Sequence, residues 1–187
     1  MADKMMKKTL LTLLLLCSLA ACESKRQELV DPDIVEGKRQ ELVDPEIVDR
    51  DGLEYLAGST EPLTADVVEL HKNGQLKTKY TLIDGMVEGL YQSWYDNGQL
   101  WDEITAVNGE FDGLWRSWHK NGQLKIEQTF VNGTEEGLSR SWHRNGQLAL
   151  YMTYLNGKAE GLERSWNENG QLRRENTYVN GECVDCE

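Results

Sequence analysis

The sequence predicts an all-β protein: an open, single-layer antiparallel meander of about ten strands, built from hairpin repeats with a 24-residue period. Two observations carry that prediction. Nine Asn-Gly pairs place glycines at 74, 98, 109, 122, 133, 146, 157, 170 and 181, and Asp84-Gly85 fills the one gap, so turn signals recur at alternating intervals of eleven and thirteen residues. The stretches between them are short and rich in Trp, Tyr, Thr, Leu and Val, the composition of strands. Helix is excluded, because glycine would fall in every second or third turn and no 3.6-residue apolar stripe is present.

The N-terminal segment differs in character from the rest of the chain. Residues 1–21 carry a basic leader, Lys4, Lys7 and Lys8, then the apolar run "TLLTLLLLCSLA", too short to span a bilayer comfortably. That pattern reads as an export signal. It ends in "LAAC", Leu19 to Cys22, which resembles the bacterial lipobox. The resemblance implies a lipoprotein signal peptide cleaved before Cys22, with Cys22 carrying the lipid (palmitate among its chains). In the sorting rule of such lipoproteins, Asp at the next position retains the protein in the inner membrane; here it is Glu23, which favours the outer membrane.

Residues 22–50 read as a tether. "KRQELVDPDIVEG", residues 25–37, is followed directly by "KRQELVDPEIVDR", residues 38–50. Each copy is highly charged, contains a proline and has few apolar residues, so the segment is expected to be extended. Fully stretched it would reach on the order of 90 Å.

Residues 51–182 are the repeat domain. For "SWYDNGQL", Ser93 to Leu100, a two-residue Asn97-Gly98 loop would pair Tyr95 with Leu100 and, in later repeats, mix apolar with polar partners. A three-residue loop Asp96-Asn97-Gly98, with Gly98 left-handed, pairs Trp94 with Leu100 and is expected to set Leu90 opposite Ile104. A slip of one residue would turn every side chain over, so the three-residue loop is chosen. It predicts an apolar ladder of Trp94, Leu100, Trp118, Leu124, Trp142, Leu148, Trp166 and Leu172, flanked by Leu90, Leu114, Leu138 and Leu162. The opposite face is expected to be wet, with Ser93, Ser117, Ser141 and Ser165 and with Thr81, Thr105, Thr129, Thr153 and Thr177.

Such a single-layer sheet has nothing to cover its apolar ladder, so twist or a partner must hide it. Trp94, Trp118, Trp142, Trp166, Leu100, Leu124 and Leu148 are therefore the candidate interaction face. The tryptophans also serve as packing units between neighbouring repeats.

Residues 183–187 form a CxxC tail. With Cys17 leaving in the signal and Cys22 taking lipid, Cys183 and Cys186 remain, and an oxidising compartment would let them pair as a small disulfide. A redox role would need a helix N-terminus to lower a thiol pKa, and nothing helical is near.

The full chain has a formal net charge of −12. Residues 22–187 hold 17 Lys and Arg against 31 Asp and Glu, a net −14. Nucleic acid and anionic lipid surfaces are disfavoured as partners, leaving the N-terminal lipid as the membrane contact, and a basic partner is favoured.

"GLYQSWYDNGQL", "GLWRSWHKNGQL", "GLSRSWHRNGQL" and "GLERSWNENGQL" resemble the MORN-repeat variant of bacterial YwqK-family antitoxins, over roughly residues 51–181. The resemblance implies an open β-meander and a non-catalytic, protein-binding role, with a toxin as one partner class. An exported lipoprotein could not neutralise a cytosolic toxin, so an immunity role at the envelope fits better.

No catalytic residues, metal ligands or cofactor are expected. His71, His119 and His143 occupy one repeat position just before the turn, and adjacent repeats stand about 10 Å apart, too far to share a metal. Glu88, Asp112, Glu136 and Glu160 likewise occur once per repeat and read as a solvated edge. The competing functional class is a cell-wall or glycan binder, since Trp and Asn-Gly repeats also resemble choline- and glucan-binding modules. Those modules have shorter repeats with aromatic doublets, whereas this chain has single tryptophans at a period of 24.

Overall fold

The structure is a computed structural model that describes residues 39–186. The expected signal peptide, Cys22 and the first 13-residue copy lie outside the described residues. Among the described residues sixteen strands occur in chain order: β1 (Glu41–Val43), β2 (Ile47–Arg50), β3 (Leu53–Leu56), β4 (Ala65–Leu70), β5 (Leu76–Ile83), β6 (Met86–Val87), β7 (Gly89–Trp94), β8 (Leu100–Val107), β9 (Glu110–Phe111), β10 (Gly113–Trp118), β11 (Leu124–Val131), β12 (Thr134–Trp142), β13 (Leu148–Leu155), β14 (Lys158–Trp166), β15 (Leu172–Val179) and β16 (Glu182–Cys183). Fourteen form one open sheet in the order β1-β4-β5-β7-β8-β10-β11-β12-β13-β14-β15-β16, with β6 and β9 as short extensions pairing β5 and β8. Its ten long strands, from β4 to β15, are the expected meander. The fold is all-β.

Two kinds of turn explain the alternating spacing. At Gly98, φ is +82°, Gly98 N–H donates to Tyr95 O at 2.9 Å, and Tyr95 N–H donates to Gln99 O at 2.8 Å. This is the expected three-residue loop, and Trp94 faces Leu100 across it. The other turns are two-residue loops with both central residues left-handed, as at Asn108 (φ +51°) and Gly109 (φ +80°), between the paired Val107 and Glu110.

Beyond the first loop the register departs from expectation. Ser93 faces Asp102 while Trp94 faces Leu100, which leaves Trp101 as an extra, bulged residue. Leu90 therefore faces Thr105, not Ile104, and Ile104 faces Tyr91. The same bulge recurs at Lys77, Lys125, Ala149 and Arg173. One inserted residue turns the rest of a strand over. Thr105, Thr129, Thr153 and Thr177 consequently share a face with the Leu90 row rather than with the serines.

The wetness of the two faces is also corrected. Ser93 and Ser117 are 4% and 2% exposed, whereas Leu90 is 50% exposed. Apart from Val68, the buried residues of the described chain, including Ile104, Gln128, Met152 and Asn176, fall on the serine face by strand alternation. By strand alternation Tyr91, Trp115 and Phe130 lie on the same face as these serines.

The second 13-residue copy is not a tether. Glu41–Val43 is an edge strand running parallel to β4, and Ile47–Arg50 forms a separate two-stranded sheet with β3. Pro45 falls in the link between the two strands and breaks neither. This small sheet packs against the start of the large one: Glu54 N–H donates to Gly85 O at 2.8 Å, and Tyr80 Oη donates to a Glu54 carboxylate oxygen at 3.3 Å. Ala65, Val67 and Leu82, at 0–1% exposed, make the deepest packing near that contact.

Candidate functional site

The candidate face holds three rows across the strands. Nearest the Asn-Gly-Gln-Leu turns lies the ladder of Trp94, Leu100, Trp118, Leu124, Trp142, Leu148 and Trp166, all half-buried, ending in exposed Leu172. Each Trp–Leu pair is a cross-strand neighbour. The Leu–Thr row, Leu90–Thr105 through Leu162–Thr177, lies farther along the strands.

Between them runs a polar row that sequence reading missed: Gln92, Glu103, Arg116, Glu127, Arg140, Tyr151, Arg164 and Glu175, each opposite the next. Gln92 Nε2 donates to Glu103 at 2.9 Å, Arg116 Nε to Glu127 at 3.1 Å and Arg164 Nε to Glu175 at 2.6 Å, while Arg140 pairs with the other Glu127 oxygen and lies 5.5 Å from the Trp142 ring centroid. The alternation of sign was visible in the residues, but only the bulge-corrected register brings them into one row.

Burial opposes the charge on Glu127, yet Arg116 and Arg140 outweigh it and hold the carboxyl below its ordinary value of 4.5. A lowered folded pKa contributes stability that is present above the unfolded value and is lost as pH falls through the folded one. Glu127→Gln should therefore cost about 1 kcal/mol at neutral pH, the arginines being partly solvent-screened. The wild-type and variant unfolding free energies should converge below pH 4.5, as urea titrations across that window would record.

The turn residues join successive repeats. His71 Nε2 lies 2.8 Å from Trp94 O, Tyr95 Oη donates to Trp118 O at 2.8 Å, and His119 and His143 Nε2 lie 2.8 Å from Trp142 O and Trp166 O. A carbonyl only accepts, so each Nε2 carries the proton. The histidines are thus half-buried latches. The turn asparagines do the same: Asn73, Asn97, Asn121 and Asn145 Nδ2 donate to the carbonyls of Asp96, Lys120, Arg144 and Glu168, at 2.6–3.3 Å. Along the opposite edge, the carboxylates of Glu88, Asp112, Glu136 and Glu160 accept the N–H groups of Asn108, Asn132, Asn156 and Asn180. The expected solvated edge is therefore a series of turn caps, signalled by a constant 20-residue step from carboxylate to asparagine.

Among the described residues, no group of His, Cys, Asp and Glu is arranged to hold a metal. An open depression of about 410 Å³ lies on the ladder face, lined by Tyr151, Thr153, Glu160, Gly161, Leu162, Arg164 and Trp166. At the C-terminal end, Cys183 and Cys186 are joined as a disulfide with Cα atoms 5.7 Å apart. The loop it closes places the Asp185 carboxylate on Thr177 N–H and Thr177 Oγ1, which caps part of the outer edge of β15.

The family model of the MORN repeat variant matches residues 87–108, 111–132, 135–156 and 159–180. No curated protein matches the chain.

Proposed function

Taking residues 87–180 to be four tandem MORN repeat variants, modules often found in binding roles, we propose that this is a non-enzymatic protein-binding module that uses its tryptophan ladder face. The observation that carries the proposal is the composition of that face. Half-buried Trp and Leu alternate beside a row of guanidinium and carboxylate groups, and a depression lined by Tyr151, Arg164 and Trp166 opens onto it. Aromatic and arginine side chains around a concavity are the usual anchors of protein interfaces.

The finer proposal is a bacterial envelope lipoprotein of the YwqK antitoxin type, anchored through lipid on Cys22 at the outer membrane. Its role there is immunity-like, against a basic protein or toxin arriving from outside; nucleic acid is not a partner. Its support is the lipobox-like "LAAC", Glu23 and the net acidity of residues 22–187.

Trp118→Ala with Trp142→Ala should weaken capture of an envelope protein by about thirtyfold, while the β-sheet circular dichroism is retained. Retention on purified peptidoglycan or glycan that the double variant loses would replace this reading by the cell-wall one.

A further inference from the structure

The rows of the ladder face stop on unmatched members at β15. Glu127 on β11 lies between Arg116 on β10 and Arg140 on β12, and its side chain is 16% exposed. The equivalent Glu175 on β15 pairs with Arg164 of β14, and its side chain is 45% exposed. Leu100, Leu124 and Leu148 stand between two tryptophans and are half-buried, whereas Leu172 has Trp166 on one side and is 53% exposed. Asn73, Asn97, Asn121 and Asn145 each donate to the carbonyl two residues past the next tryptophan, but Asn169 Nδ2 reaches Gln171 Oε1 in its own loop.

The backbone of β15 is open at the same place. Thr177 O accepts Val184 N–H, and Thr177 N–H donates to the Asp185 carboxylate, so both groups point away from β14. By strand alternation the N–H and C=O of Glu175 point the same way. Among the described residues, β16 pairs only Tyr178 and Val179 on that side, and no strand reaches Glu175.

We propose that the outer edge of β15 is a docking slot for an extended segment of another protein, added as an antiparallel strand. An arginine of that segment lies opposite Glu175 and a tryptophan two residues later lies against Leu172. The first contact repeats Arg140 opposite Glu127, and the second repeats Trp142 beside Leu124. Main-chain bonds supply the attachment and these two side chains the selectivity. The net charge of −12 favours such a basic segment. A second copy does not supply it, because its Ser-Trp strands β7, β10, β12 and β14 are each paired on both sides. Two β15 edges meeting at Glu175 would also set like charges opposite each other. The slot is the rim of the sheet, separate from the ladder face proposed above as a binding surface.

The probe is a capped synthetic peptide, SRSWHRN, the sequence of residues 139–145. Added to the full chain, it should protect the Glu175 amide from hydrogen exchange. Glu175→Pro removes that outward N–H and should weaken binding by at least about tenfold, while the Arg174 and Asn176 amides, which face β14, stay protected. Glu175→Arg should weaken the peptide by roughly tenfold, and the partner peptide SESWHRN should recover the loss on that variant. The Trp118→Ala, Trp142→Ala double variant should bind the peptide as the wild type does, which separates this result from the fate of the ladder-face reading. Absence of binding, binding that leaves Glu175 unprotected, or failure of the charge exchange to restore it would overturn the proposal. Loss of peptide binding in the tryptophan double variant would assign the peptide to the face and overturn it too. Dimerisation of the full chain that Glu175→Pro abolishes would give the slot to a second copy, with the same consequence.

Discussion

Leu82→Ala should destabilise the protein by about 2–4 kcal/mol, one of the two largest losses expected from a single substitution. Leu82 is 0% exposed and, with Val67 and Ser117, is among the largest fully buried side chains of the described residues. Its cross-strand neighbours, Ala65 on β4 and Val87 on β6, are too small to fill the space that truncation would leave. Buried apolar side chains are scarce in a sheet that is one layer thick through its repeats, so each weighs heavily. The damage should also be local. Each repeat contacts mainly its neighbours, so the loss should concentrate in residues 39–87 and leave β12–β15 protected. Urea unfolding would measure the total, and peptide-resolved hydrogen exchange would locate it. A uniform loss of protection along the sheet would show instead that the repeats unfold as one unit.

How much of the fold was legible in the sequence depends on which interactions leave a periodic trace. The turns did, because Gly98 and its counterparts must be left-handed, and that need fixes the pairing of Trp94 with Leu100. The bulge did not. Its positions hold Lys77, Trp101, Lys125, Ala149 and Arg173, which share no chemical character, since a bulged residue is selected for having no partner. The chemistry of the faces was misread for the same reason. Ser117 looked solvent-facing because serine is polar, yet it is 2% exposed.

The N-terminal edge shows the opposite failure. Composition alone made residues 38–50 a tether, yet an edge strand of three residues needs only Leu42 turned inward and a few backbone partners. Charge and proline are common on such edges, where they discourage pairing with foreign strands. The candidate interaction residues were legible as a row but not as a site. The ladder could be read from the repeats, whereas the arginine–carboxylate row beside it depended on the bulge.

Gly85→Ala should cost about 3 kcal/mol, more than the same change at the other turns. The backbone there is left-handed, φ +80°, which penalises any L side chain by about 1–2 kcal/mol. The site is also closed. A Cβ on Gly85 would lie 2.9 Å from Glu54 O, 3.0 Å from Glu54 N and 3.1 Å from Leu53 Cβ, none of them the movable end of a long side chain. Those backbone atoms are committed: Gly85 N–H donates to Leu63 O, Leu63 N–H to Glu54 O and Glu54 N–H to Gly85 O, each at 2.8–2.9 Å. Relieving the contact means breaking this ring of bonds and moving the β2–β3 hairpin away from the sheet. Gly74→Ala is the matched control, with φ +82° and open space around the added carbon, and should cost only the backbone strain. The separation would also have a spectroscopic signature. Burial, then the nearby Glu54 charge, raises the Tyr80 phenol above its ordinary value of 10.0. In Gly85→Ala, ultraviolet titration should show one tyrosine returning toward that value, while Gly74→Ala leaves it raised. Equal stability losses in the two variants, with Tyr80 unchanged in both, would mean that close backbone approach at Gly85 is not what holds the small sheet in place.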